Sequence, residues 1–146
     1  MYYEIRRYQA QPGRREEWVR YMEDVVIPFQ ASLGIDVTAS FVDAEDEDGY
    51  MWIRRFEDEA QSEALYTAVY QHDRWKNEIG PLVYSLLIPE KSVITRVVPT
   101  PASPLRRPGL RPGGRRSAIP VRIQRLQCLR HGRDWGRCNS RHGTSS

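Results

Sequence analysis

The chain has 146 residues with a net charge of +3, two cysteines and 28% charged side chains, which is room for one domain with a modest core. No window approaches the ~18 uninterrupted apolar residues of a membrane span, and the Met1–Ile5 start lacks the basic and apolar stretches of a secretory leader. Both cysteines, Cys128 and Cys138, fall near the C-terminus, so the domain is expected to need no disulfide and to suit a reducing cytoplasm.

Residues 2–9 are rich in aromatic and β-branched side chains and are closed by Pro12-Gly13, which predicts a strand. Alternation places Tyr3 and Ile5 on one face and Glu4, Arg6 and Tyr8 on the other. Across residues 14–33, Trp18, Tyr21, Met22, Val25, Val26, Phe29 and Leu33 recur at three- and four-residue steps, the stripe of an amphipathic helix. Pro28 interrupts it and predicts a kink or break near Ile27; Gly34 ends it.

Residues 35–42 alternate, with Ile35, Val37, Ala39 and Phe41 expected on one side. A second strand is expected from Tyr50 to Phe56. Asp-Gly closes the acidic run between them, a hairpin signal. Asp43–Asp48 does not have calcium-loop spacing, because Ala44 falls at the first ligand position and Arg55 where a bidentate Glu belongs. Asp58, with Gln61 three residues on, predicts a capped helix start and a helix faced by Ala60, Ala64, Leu65, Ala68 and Val69. A short helix from Asp73 to Ile79, ended by Pro81, precedes a last strand from about Tyr84 to Val98, interrupted at Pro89-Glu90.

The order β-α-β-β-α-β predicts an α+β, ferredoxin-like domain over residues 1–98: a four-stranded antiparallel sheet with two helices on one face. The uncovered face is expected to pair with a second copy, giving a dimeric α/β barrel.

Residues 1–99 carry 11 Lys and Arg against 18 Asp and Glu, a net of −7, whereas residues 100–146 carry 11 Arg against one acid, a net of +10. The segment from Pro99 is rich in Arg, Pro and Gly without hydrophobic period, and is expected to be a disordered tail. Its composition is that of a GC-rich reading frame translated out of register. Within it, residues 118–130 have the only strand- or helix-like pattern, and Cys128, His131, Cys138 and His142 do not form a recognised zinc spacing.

Tyr3-Glu4-Ile5-Arg6-Arg7-Tyr8, Gln11-Pro12-Gly13, Val26-Ile27-Pro28, the run Trp52 to Asp58, His72-Asp73-Arg74-Trp75 and Gly80-Pro81-Leu82 together resemble NIPSNAP domains across residues 1–98. The resemblance implies a dimeric barrel with a cavity between sheet and helices in each protomer. It implies no settled chemistry, since related dimeric barrels include cofactor-free monooxygenases, haem-degrading enzymes and structural members.

The ligand-binding candidates are Glu4, Arg6, Tyr8, Trp52, Arg54 and His72. Arg6 suits a carboxylate or oxyanion, and Tyr8 suits hydrogen bonding or proton donation. The other reading places Glu4, Arg6 and Tyr8 in the dimer interface. Trp52 and Phe56 fit a core role, and Arg54 is either ion-paired among them or ligand-facing. His72, beside Asp73, is the one histidine of the domain, a general acid/base or a surface cap. No catalytic residue, metal or cofactor is assigned. The expected function is small-molecule binding in the barrel; the alternatives are a non-catalytic structural dimer and a cofactor-independent monooxygenase. The expected partners are a second copy and a small molecule, without a membrane, and with nucleic acid only nonspecifically through the tail.

Overall fold

The computed structural model describes residues 1–106 and the backbone of 124–127. Four antiparallel strands, β1 (Tyr2–Gln9), β2 (Asp36–Val42), β3 (Gly49–Phe56) and β4 (Val93–Val97), lie in the order β2-β3-β1-β4. This is the expected ferredoxin-like α+β arrangement. A fifth strand, β5 (Gln124–Gln127), adds to the β4 edge and lies within the stretch that carried the tail's only periodic pattern. The remaining tail expectations, including Cys128, His131, Cys138 and His142, lie outside the described residues.

The first helical region does not break at Ile27. α1 (Arg15–Tyr21) passes into a π-helical turn, Met22–Val26, and then into α2 (Ile27–Ser32). The Ile27 N–H donates to the Met22 carbonyl five residues back. Pro28 follows directly; in a regular helix its ring would press on the carbonyl four residues earlier, and the wider turn relieves that contact. Gly34 then ends the helix at φ +101°, a left-handed conformation that side-chain-bearing residues seldom adopt.

The second crossover repeats the device. α3 (Glu59–Tyr70) is followed by a π turn, Trp75–Ile79, and by α4 (Gly80–Leu86); the Gly80 N–H donates to Trp75 O. Pro81 therefore does not end a short helix. It sits in the second position of α4, directly after the widened turn, as Pro28 does after the first. The strand expected from Tyr84 shrinks accordingly to Val93–Val97, because Tyr84–Leu86 are helical. At the start of α3 the Asp58 carboxylate accepts from Gln61 N at 2.7 Å, while the Gln61 side chain accepts from Glu57 N at 2.7 Å, so the cap closes one residue earlier than a standard capping box.

The α3 face expected from Ala60, Ala64, Leu65, Ala68 and Val69 holds at Leu65 and Val69, which join the core, and is corrected at its alanine end. Ala60 and Ala64 are exposed, and the inward stripe is Ser62, Tyr66, Val69 and Tyr70. A bulge between Val37 and Ala39 likewise splits the β2 alternation: Val37 pairs with Arg54, whereas Ala39 and Phe41 pair with Ile53 and Met51. Val37 thus shares the helix-covered face, and Ala39 and Phe41 the opposite one.

The helices bury one sheet face. Trp18, Met22, Val26 and Phe29 from the first helical region, and Val69, Trp75, Ile79, Val83 and Leu86 from the second, pack over Tyr8, Tyr50 and Trp52. The other face carries Ile5, Ala39, Phe41, Met51, Ile53, Val93 and Val97. Of these, Phe41 is 48% exposed and the other six are half-buried. Tyr3, on that same face, is buried; its hydroxyl donates to Leu105 O in the segment after β4.

Candidate functional site

Strand register builds the site. Glu4 lies between Arg54 on β3 and Arg96 on β4, and in the next inward-pointing row Arg6 lies between Trp52 and Ile94. Tyr8, opposite Tyr50, forms the third row. All three β1 side chains face the protein's own helices and are buried. The interface reading for Glu4, Arg6 and Tyr8 is therefore overturned, since that face is covered within the protomer.

The helices contribute three further groups. Gln30 of α2 accepts from Arg54 Nη1 at 2.9 Å. The Tyr66 hydroxyl of α3 donates to Glu4 Oε1. The Tyr70 hydroxyl accepts from Arg6 Nη1 at 3.1 Å and from Arg54 Nη1 at 3.3 Å. Arg54 Nη2 donates to Glu4 Oε2 at 2.9 Å, and Arg6 Nη1 to the Tyr8 hydroxyl at 3.2 Å. Arg6 Nε approaches Glu4 Oε2 only to 3.7 Å.

The π turn in the first helical region brings Gln30 to this point. Twelve residues at about 100° each would turn Gln30 about 120° away from Trp18 in a regular helix. The extra residue absorbed by the π turn removes about 100° of that, so both side chains face the sheet.

Arg54 is enclosed by aromatic rings. Its guanidinium carbon lies 5.2 Å from the Trp52 ring centre, 5.4 Å from Phe56 and 5.1 Å from Tyr66, distances at which the ring faces attract a cation. Trp52 and Phe56 thus serve as core and as lining for Arg54.

The electrostatics follow from burial and from two cations facing one anion. Burial pushes the Glu4 carboxyl upward, but Arg54, Arg6 and the Tyr66 hydrogen bond outweigh it and hold it at about 2. Burial raises Tyr8 and Tyr66. Tyr70 moves the other way: burial opposes ionisation, yet Arg54 and Arg6, by charge and by hydrogen bond, lower it below the ordinary tyrosine value. Arg6 and Arg54 are 2% and 0% exposed, and the Nε atom of each has no hydrogen-bond partner among the described residues. Toward solvent, Arg96 lies 3.6 Å from Glu4 Oε1, pairs with Glu59 at 2.6 Å and covers the Tyr2 ring at 4.8 Å.

Of the sequence candidates, Glu4, Arg6, Tyr8, Trp52 and Arg54 come together. His72 does not. It is exposed in the turn after α3, its Nδ1 accepts from Arg74 N at 3.0 Å, and its ring stands edge-on to Phe29 at 5.1 Å, the geometry of a surface cap. Gln30, Tyr66, Tyr70 and Arg96 were missed. The four-residue spacing Ser62-Tyr66-Tyr70 was the available signal for the two tyrosines. In the hairpin loop, Asp43 accepts from Glu45 N and Asp46 N, and Asp46 from Asp48 N, so these acids serve their own backbone. No helix among the described residues is long and apolar enough to cross a membrane.

The sequence model of the NIPSNAP family matches residues 3–104. None of the curated proteins matches the chain. Among solved structures, an uncharacterised NIPSNAP domain protein from Burkholderia xenovorans superposes with a TM-score of 0.64 at 15% identity, covering 71% of this chain and 99% of that one. A NIPSNAP family protein from Agrobacterium tumefaciens gives 0.64 at 23% identity, covering 72% and 90%. Another from the same organism, of unknown function, gives 0.64 at 24% identity, covering 72% and 93%. At these identities the likeness is one of fold.

Proposed function

The chain belongs to the NIPSNAP family, and we propose that its domain binds a small organic anion, such as a carboxylate, against Arg6 and Arg54 beneath the helices. One observation carries this reading: two fully buried guanidinium groups share one buried carboxylate. A buried charge without a full counter-charge is expensive, and a planar guanidinium with a free Nε–H suits the paired oxygens of a carboxylate. The aromatic walls from Trp52, Phe56 and Tyr66 favour a ligand with an apolar body.

The test is thermal melting of the full-length chain with increasing benzoate at constant ionic strength, with chloride as control. The expected outcome is a saturable rise in melting temperature that Arg6→Lys, which keeps a cation but loses the planar fork, largely removes. No rise with benzoate, acetate or phosphate sinks the reading.

A second reading concerns the opposite sheet face. Its apolar row, from Phe41 through Met51, Ile53 and Ile5 to Val97, is what a second copy of the chain would cover to form the dimeric barrel.

A further inference from the structure

Tyr70 is placed where the missing counter-charge of the cluster would have to be. Its oxygen accepts from a cationic donor on β1 and from another on β3, which occupies both acceptor positions of a phenol. Its two donors are in turn bonded to the rest of the cluster, Arg6 to Tyr8 and Arg54 to Glu4 of β1 and Gln30 of α2, and the Tyr66 ring of its own helix lies 5.8 Å away between ring centres. The Trp75 ring stands nearly perpendicular to the Tyr70 ring, with 4.9 Å between ring centres. Glu4 is the only carboxylate among these groups, and it is committed to Arg54.

We propose that Tyr70 is a proton acceptor whose phenolate balances the buried arginines when the site is empty, so that an organic anion enters together with one proton. This rests on the anion-binding reading above and specifies its chemistry. On binding, the anion replaces the phenolate as the counter-charge of Arg6 and Arg54. The Tyr70 oxygen takes one proton from solvent, and no bond of the ligand is broken. Net charge inside the helices is thus unchanged by binding, which avoids burying a new uncompensated charge. The preference of Tyr70 for ionisation has the same origin as its geometry, since two cationic donors stabilise the charged form more than burial opposes it.

The experiment has two arms. Absorbance at 295 nm is followed against pH for the folded full-length chain, for Tyr70→Phe and for Tyr8→Phe. One of the eight tyrosines is expected to ionise ahead of the rest in the parent and in Tyr8→Phe, and the early step is expected to vanish in Tyr70→Phe. If Tyr70→Phe does not fold, the 13Cζ shifts of labelled tyrosine in the parent report the same step. In the second arm, benzoate is titrated calorimetrically at a pH above that step, in two buffers of different ionisation enthalpy. Uptake of one proton per benzoate by the parent, and none by Tyr70→Phe, is the expected result. Absence of an early tyrosine step, or benzoate binding without proton uptake, overturns the role of Tyr70 alone. A parent that shows the early step but does not bind benzoate overturns the anion site and with it the coupling.

Discussion

Glu4 and Arg54 stand directly opposite each other in the β1–β3 register, and their side chains close at 2.9 Å with almost no contact with solvent. A register shift of one residue would put the two on opposite faces of the sheet, so the pair ties strand alignment to the buried charge of the site. Arg6 draws on the same carboxylate at longer range.

Removing that carboxylate therefore leaves two buried guanidinium groups without their carboxylate partner. Glu4→Gln is expected to destabilise the domain by about 3–5 kcal/mol, measured as a fall in the urea midpoint. Loss of less than about 1 kcal/mol would show that Glu4 does not hold the cluster together.

The same pair predicts the acid limb of stability. The Glu4 carboxyl is held at about 2 against an ordinary 4.5. Because the folded value is depressed, the stabilisation is fully present above the unfolded value and is lost as pH falls from 4.5 toward 2, about 3 kcal/mol in all. Urea unfolding from pH 6 to 2 is expected to show this decline in the parent and a flatter profile in Glu4→Gln.

Tyr66→Phe deletes the hydroxyl that donates to Glu4 Oε1 while keeping the ring beside Arg54. The expected cost is about 1–3 kcal/mol. The acid decline should also be smaller and end at a higher pH, because one of the groups holding the carboxyl down is gone. An unchanged acid profile would show that Tyr66 contributes only its ring.

At the hairpin, a Cβ on Gly49 would lie 2.7 Å from Asp43 Cβ. Gly49→Ala is expected to cost about 1–3 kcal/mol, read by thermal melting, because the loop must move away from the strand end and disturb the Asp43 N–H bond to Gly49 O. A neutral result would show that the loop shifts freely.

If the bare face pairs with a second copy, Ile53→Glu, at a half-buried position on the sheet face opposite the helices, is expected to convert the species seen by size-exclusion chromatography with light scattering from dimer to monomer, without change in far-ultraviolet circular dichroism. A parent that is already monomeric removes the dimer reading.

The strand-borne half of the site was legible because the period of two is rigid: once Glu4 was set inward, Arg6 and Tyr8 followed, and on β3 Trp52 and Arg54 likewise. The helical half was obscured for identifiable reasons. Ala60 and Ala64 of α3 extended the apolar stripe onto an exposed face, while Ser62, Tyr66 and Tyr70, with three hydroxyls among them, point inward. Gln30 was out of phase with Trp18 until the π turn corrected the count. Pro28 looked like a kink or break and Pro81 like a stop because the compensation, a widened turn just before each, has no residue signature of its own. His72 drew attention by residue type alone, and its partners are a backbone N–H and the Phe29 ring.

The π turns also separate two tasks that a regular helix would couple. In the first helical region, Trp18 is fixed by the core and Gln30 by Arg54, and the extra residue between them works as a phase adjuster. Gain or loss of a single residue at the exposed Glu23-Asp24 edge would re-aim Gln30, together with Val26 and Phe29, by about 100° and leave Trp18 in place. Within such a scaffold, the chemistry presented to the buried arginines can be altered by a one-residue insertion or deletion on the outer surface, without touching a residue of the site.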